Sequence, residues 1–353
     1  MSSKAPFVDA MRSQPENLAV AQSTLVRDLD RATIAPWQPG ETIAVVAMGA
    51  SSHSGHALVA VLSAAGYRAV NLTASDLVGD PGRGAGGGAG AGFQPADHYV
   101  IVSESGRSPE PIEAARRLTP GRRIGISNFP DAQISEVIDV RLGLGGFDDS
   151  PVYTVGYTAT LLAYALLVDR LGIVAADDDV AQIPALVASA LTEYDEVAGV
   201  VGRILAGAAA IDVVGRGTSY ATAAEVSLMI REGLRTPSAA FETYQYLHGP
   251  MEVQRDDTAV LIFGDGRELT VPDSVLDAGV KVVLVTAADI ADVPSAGHPN
   301  LTIVTIDPAL DGFVRPIIEV VIAQLALAHG IEHKPFPIEQ FVYEQHDTKI
   351  AAV

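Results

Sequence analysis

The chain has 353 residues, enough for one large or two medium domains with an ample core. Hydrophobic residues make up 48% and charged residues 19%, a globular composition too apolar for a disordered chain. The formal net charge of −20 opposes nucleic acid and anionic membrane as partners, so an anionic ligand needs local donors, and the lack of cysteine excludes disulfides, thiolate metal sites and a cysteine nucleophile.

The first residues, MSSKAPFVDAMRSQPENL, have no apolar segment of the signal-peptide kind. No unbroken apolar run approaches the roughly 18 residues of a membrane span, so a cytoplasmic protein is expected. Residues 8 to 33 have helical apolar spacing, which Pro15 is expected to interrupt. IAVVAMG (43–49) reads as a buried parallel strand, and SSHSGHALVAVLSAAG as the helix after it, closed by Gly66. YRAVNLTAS, DHYVIVS, RRIGISN and VIDVRLGL read as four more strands, with a helix over PIEAARRL. This β–α alternation predicts a doubly wound parallel sheet with helices on both faces. GDPGRGAGGGAGAGF (79–93) lacks the Lys-Ser/Thr of a P-loop and is expected to be a flexible surface loop.

Two long helices are expected over 151–174 and 182–207, after which the pattern starts again. AVVAMGASSHSGHALVAVLSAAG (44–66) aligns with IDVVGRGTSYATAAEVSLMIREG (211–233) when Gly49 is set on Gly217. YVIVSESGRS (99–108) echoes AVLIFGDGRE (259–268), and IGISN (124–128) echoes VVLVT (282–286). The chain thus reads as a tandem repeat of one α/β unit.

Open α/β sheets bind ligands at the carboxyl ends of their strands. Three polar turns fall there: GASSHSG (49–55), SESGRS (103–108) and GRGTSY (215–220). Their glycines permit close backbone approach, their hydroxyls can donate to oxyanions, and each precedes a helix N-terminus that favours anions. Serine and glycine also serve simply as caps and turn residues, so one such turn alone carries little weight. The first two together, flanking one switch point, point to a phosphate site with Ser51, Ser103, Ser105 and Ser108 as candidate ligands.

Glu225 and Glu232 are seven residues apart and share a helix face with Leu228 and Met229 between them. A carboxylate against apolar neighbours can gain a raised pKa and act as a general base, although glutamates usually lie on solvated faces. His248, in YLHGP, is either a structural turn residue or a proton carrier beside a sugar. Lys349, in the apolar tail, is either a snorkelling surface lysine or a cleft lysine that orients a carbonyl or forms an imine.

In order and spacing, AMGASSHSG, SESGRSP, GRGTSYATAAE, YLHGP and the terminal lysine resemble the SIS (sugar isomerase) family. The likeness is to its tandem form, as in the isomerase portion of glutamine–fructose-6-phosphate aminotransferases and in stand-alone phosphosugar isomerase- and deaminase-like members. The resemblance implies two SIS domains, each a five-stranded parallel sheet between helices. The expected divisions are an N-terminal helical segment (1–35), a first domain (36–180), a second domain with its leading helix (181–335) and a tail that completes the site (336–353).

It also implies that Ser51, Ser103, Glu104, Ser105 and Ser108 surround a sugar phosphate, with Thr154 nearby. Glu232 matches a base for C1–C2 proton transfer, Lys349 a lysine that engages the open-chain carbonyl, and His248 a ring-opening histidine contributed by a neighbouring subunit. A homodimer with a shared site follows, with no metal or redox cofactor. Five departures stand out. The glutaminase portion is missing, Glu104 stands where glutamine is usual, Met229 stands where the aminotransferase has lysine, and PVYTVGYTA (151–159), with Tyr153, departs from the aminotransferase's small-Ser-Thr-Lys pattern. Arg107 replaces an acidic residue and is expected to pair with Glu104 or the ligand. Expected activities are therefore deamination of a hexosamine 6-phosphate or aldose–ketose isomerisation, then deglycation of a fructosamine 6-phosphate; the non-enzymatic alternative is a phosphosugar sensor.

Overall fold

The computed structural model describes residues 4–78, 93–175, 178–343, 345 and 347–350. The glycine-rich stretch expected as a loop lies, apart from Phe93, outside the described residues.

Ten strands form two five-stranded sheets among the described residues. The first contains β1 (Thr42–Ala47), β2 (Arg68–Thr73), β3 (His98–Val102), β4 (Arg123–Ser127) and β5 (Val140–Gly143) in the order β2-β1-β3-β4-β5, every pair parallel. The second contains β6 (Ala210–Gly215), β7 (Ser238–Glu242), β8 (Thr258–Phe263), β9 (Lys281–Thr286) and β10 (Leu301–Thr305) in the order β7-β6-β8-β9-β10, again parallel. Each half thus repeats one winding, with its switch point between its first and third strands. The central strands β3 and β8 are buried along their whole length, as their unbroken apolar runs require. The alignment of the halves holds at the backbone: Gly49 and Gly217 both take left-handed φ, at 54° and 62°.

Three apolar clusters hold the sheets. One lies under the outer face of the first sheet, around Ile101, Ile112 and Ile134, and one under the outer face of the second, around Ile262, Val271 and Leu284. The largest lies between the sheets and draws on both halves, from Val45 and Leu58 to Val213 and Ile317. The helices Gly49–Ala64, Val155–Arg170, Ser219–Gly233 and Val314–Ile331 contribute to it. By length and composition Val314–Ile331 could cross a membrane, unlike the sequence expectation, but most of it is buried in this core.

The N-terminal residues belong to the same core. The helical stretch is interrupted beside Pro15, as expected: Phe7–Arg12 stops at Ser13, and Pro15 stands in the first turn of Gln14–Arg31, where its missing N–H costs nothing. Leu18, Ala21, Leu25 and Leu29 of that helix are buried. Buried Gln14 donates to Gln324 (2.8 Å) and accepts from Thr158 (2.8 Å), tying three helices together. The long helix expected over 182–207 is two, Asp178–Glu193 and Asp195–Gly207, parted at Tyr194.

Candidate active site

At the carboxyl end of the first sheet, β1 enters its helix through left-handed Gly49, which puts Ser51 in the first turn, half-buried. Ser54 Oγ donates to the Ser51 carbonyl (2.7 Å), while the Ser51 hydroxyl has no protein partner among the described residues. Across the switch point, β3 runs into a tight turn whose Gly106 N–H donates to the Ser103 carbonyl (2.9 Å). Its hydroxyls are loosely held: Ser103 Oγ donates to Ser108 Oγ at 3.4 Å, and the Arg107 N–H donates to Ser105 Oγ at 3.3 Å. These lengths lie at the outer limit of hydrogen bonding, so the hydroxyls can turn to a better acceptor at little cost. Ser108 occupies the N-cap position of the helix Pro109–Arg117 without a side-chain capping bond.

Gly106 makes this turn possible. Its φ is +62°, and a Cβ there would lie 2.4 Å from the Ala132 Cβ. Gly106→Ala is expected to cost about 1–3 kcal/mol and to distort the turn. Thermal unfolding with and without fructose 6-phosphate checks this; a lower Tm together with lost ligand response is the expected result.

Glu104 is buried, and its carboxylate is engaged away from the loosely held hydroxyls. Asn128 Nδ2 donates to its Oε1 (2.8 Å) and the Tyr153 hydroxyl also bonds it. Burial, then the nearby Asp149 charge, pushes the Glu104 carboxyl above its ordinary range; Asn128, Lys349 and Tyr153 oppose the rise. The compensation expected from Arg107 therefore comes from other groups, and no ion pair joins Arg107 to Glu104 among the described residues. Thr154 is fully buried, and its hydroxyl is committed to Asp149 (2.7 Å). Asp149 also accepts from the N–H groups of Ser150 and Gly156, both at 2.7 Å, so Thr154 shapes the start of its helix and offers no free hydroxyl.

Two distant segments reach this place. The tail docks on the serine turn through the Ile350 N–H, which donates to the Arg107 carbonyl (2.8 Å). Lys349 Nζ then donates to the Tyr153 hydroxyl (3.1 Å). Glu104, Tyr153 and Lys349 thus form one connected row, with Lys4 5.5 Å and Lys349 5.7 Å from the centre of the Tyr153 ring. Desolvation, then the Lys4 charge, lowers the pKa of the Lys349 ammonium. Glu232, in the last turn of the helix Ser219–Gly233, comes from the second half. Burial raises its pKa to about 7, with the Glu225 charge adding to the rise and Lys4 opposing it. The Glu232 charge also helps raise the Tyr153 phenol pKa, after the larger effects of burial, Glu104 and Asp149. Glu225 itself is buried against His53 Nδ1 (3.0 Å) at the junction of the two halves.

The structure therefore gathers Ser103, Ser105, Ser108, Glu104 and Lys349, with Ser51 beside Glu104 and Tyr153 in one small pocket, while Glu232 lines a separate cleft within electrostatic range of Tyr153 and Lys4. It does not bring in His248. That side chain is exposed after the short helix Thr243–Leu247 and has no hydrogen bond or ion pair within the chain among the described residues. Sequence reasoning missed Lys4, Asn128 and Asp149, and noticed Tyr153 only as a departure.

The third polar turn is filled by the chain itself. Ser219 and Thr222 both donate to the fully buried Glu319 carboxylate (2.8 Å each), which also accepts from Arg315 Nε (2.9 Å). Beyond β8, Glu268 accepts from the Gly266 N–H (3.0 Å) and from the Thr243 hydroxyl. Internal carboxylates thus occupy the donors that an anion would use in the second half.

Residues 204–329 match the SIS domain family model. The second half of the chain carries an SIS domain. The chain is 23% identical over 255 residues to a glutamine–fructose-6-phosphate aminotransferase (isomerizing) of Aeropyrum pernix, covering 66% of this chain and 41% of that protein. The corresponding enzyme of Bradyrhizobium diazoefficiens is 24% identical over 263 residues, covering 69% and 42%. The chain thus spans about two fifths of the length of these curated relatives.

Solved structures share the fold over almost the whole chain. The C-terminal domain of glucosamine-fructose-6-phosphate aminotransferase from Francisella tularensis superposes with a TM-score of 0.77 at 18% identity, covering 96% of this chain and 99% of that one. The glucosamine-6-phosphate deaminase of Thermotoga maritima gives 0.69 at 16%, covering 95% and 97%.

Proposed function

We propose that this protein is a phosphosugar-processing enzyme that acts on a hexosamine 6-phosphate at the carboxyl end of its first sheet, and that this sheet is the core of a further SIS domain, giving a tandem pair. The carrying observation is the docking of Lys349, from the tail, on the serine turn of the first sheet, with Glu232, from the second half, close enough for its charge to raise the Tyr153 phenol pKa there. A turn built only for structure has no need of a base near neutral pKa and a desolvated lysine. The domains run over 36–180 and 181–335, with 336–353 completing the site; the helical segment 1–35 is packed against both.

In this reading, the hydroxyls of Ser51, Ser103, Ser105 and Ser108 and the two helix N-termini hold the phosphate, overcoming the net charge of −20 by local donation. Glu232 moves a proton between C1 and C2, which its pKa of about 7 suits. Lys349 holds the open-chain carbonyl or nitrogen end, and Tyr153 positions Lys349. Glu104 is a positioning residue too: it accepts the hydrogen bond of the Tyr153 phenol, leaving the phenol oxygen to accept from the lysine. His248 opens the ring from a second copy of the chain, which makes the working unit a homodimer.

The net reaction is glucosamine 6-phosphate plus water giving fructose 6-phosphate plus ammonia. Incubation with glucosamine 6-phosphate should release ammonia and ketose in equal amounts. Interconversion of glucose and fructose 6-phosphates without ammonia would replace deamination by simple isomerisation. Binding of these sugars with no turnover would make the protein a sensor.

A further inference from the structure

The segment before the first helix is docked, and it carries a cation to the candidate site. Phe7 is fully buried, and its N–H donates to Glu339 Oε1 (2.9 Å). Pro6 is extended, with φ −56° and ψ 144°, and its carbonyl accepts from the Ala10 N–H (2.9 Å). The Ala5 N–H donates to the Asp149 carbonyl (3.2 Å). Asp149 opens the loop that carries Tyr153, so the backbone next to Lys4 is tied to the same loop as the phenol that holds Lys349.

Lys4 is exposed, yet its Nζ lies 5.5 Å from the centre of the Tyr153 ring, with Lys349 at 5.7 Å. No carboxylate lies within ion-pair distance of Lys4 among the described residues, in a chain with a large excess of acid. Two ammonium groups around one phenol repel each other, and negative charge developing between them relieves that repulsion. The Lys4 charge also acts on both groups assigned to the reaction. Burial and then the Glu225 charge raise the Glu232 pKa, and Lys4 opposes them; after desolvation, Lys4 is the largest influence on Lys349. A base that takes a proton from the carbon beside a carbonyl leaves negative charge on the carbonyl oxygen. A cation near both that base and the lysine that binds the carbonyl is placed to meet this oxygen.

We propose that Lys4 is a further catalytic residue, whose ammonium meets the sugar oxygen at C1 and stabilises the charge that develops there as the proton leaves C2. This rests on the function proposed above. Glu232 takes the C2 proton, the C–H electron pair becomes the C1–C2 double bond, and the carbonyl pair moves onto the C1 oxygen, where Lys4 and Lys349 share its charge. Glu232 then returns the proton to C1 as the nitrogen pair forms the C2–N double bond. The C1 oxygen becomes a hydroxyl by taking the proton that this nitrogen loses, and water releases ammonia from C2.

Steady-state ammonia release from glucosamine 6-phosphate by wild type, Lys4→Met and Lys4→Arg tests this. Lys4→Met removes the charge of an exposed side chain while keeping much of its length, so it should fold, which an unchanged Tm checks. Its kcat is expected to fall about a hundredfold with KM nearly unchanged, as for a contact made in the transition state. The rising limb of its pH profile should also move to higher pH, because the Glu232 pKa is released from the Lys4 charge. Lys4→Arg keeps the charge and should recover most of the turnover and the wild-type limb. Wild-type kcat in Lys4→Met, a raised KM with kcat unchanged, or a rising limb that stays in place would overturn the Lys4 assignment alone. If wild type interconverts glucose and fructose 6-phosphates without ammonia, the same comparison on that C1–C2 proton transfer decides. Wild type that binds fructose 6-phosphate without turnover would overturn Lys4 and the enzyme reading together, and failure to bind any of these sugars would overturn the phosphosugar reading itself.

Discussion

Glu232→Gln is expected to lower turnover by about a hundred- to ten-thousand-fold, the range over which a positioned general base contributes, while binding of the sugar phosphate persists. Glutamine keeps the size and hydrogen-bonding capacity of the side chain but cannot take a proton. The phosphate donors lie on the other sheet and are untouched, so the loss should fall on kcat and leave KM nearly unchanged. A proportional loss of binding would instead make Glu232 a ligand for the ground state.

The same residue sets the pH dependence. Its pKa, raised from 4.5 to about 7 first by burial and then by the Glu225 charge, places the base form above neutrality. Turnover should therefore rise with pH through about 7 and level off beyond it. Glu225→Gln removes the neighbouring charge and should move the rising limb to lower pH. A profile flat from pH 5 to 8 would exclude Glu232 as the base.

The second large effect concerns stability. Arg315→Met is expected to destabilise the fold by about 3–5 kcal/mol, because it strips the counter-charge from a carboxylate that cannot reach water. Glu319 is fully buried and relies on Arg315, Ser219 and Thr222, while Arg315 also pairs with Asp265. Burial raises the Glu319 pKa despite these partners. A carboxyl whose folded pKa lies above its unfolded value is penalised increasingly as pH rises through that interval. The Arg315→Met deficit should therefore be larger at pH 8 than at pH 5. The double variant Arg315→Met/Glu319→Gln should recover much of the loss, since it removes the unpaired charge. Urea unfolding at the two pH values checks both statements; a deficit independent of pH would mean that lost packing, not charge, is the cause.

The winding of both sheets was legible because parallel central strands must be apolar throughout and because each strand end must turn. IAVVAMG and IDVVGRG signalled this, and the matched left-handed glycines at 49 and 217 show how closely the halves correspond. The polar turns were legible as turns, but sequence does not distinguish a hydroxyl that awaits a ligand from one already satisfied. Ser219 resembles Ser51 locally; what separates them is Glu319, a hundred residues further on. Likewise, Lys349 and Tyr153 are 196 residues apart, and no local period announces their contact. Glu104 was legible only as a departure from the usual glutamine, because the Asn128 and Tyr153 that hold it come from other parts of the chain. Pro15 marked a true helix boundary, because proline is tolerated in the first turn of a helix and not in its interior, and the preceding helix stops at Arg12.

The central claim is that the serine turn at 103–108 holds a phosphate ester, and the most direct measurement is thermal unfolding with fructose 6-phosphate against fructose. The phosphate ester alone should stabilise the protein, by about 2.7 kcal/mol at a hundred times Kd, and Ser105→Ala/Ser108→Ala should remove most of that gain. Stabilisation by both sugars, by neither, or undiminished in the double variant would contradict it.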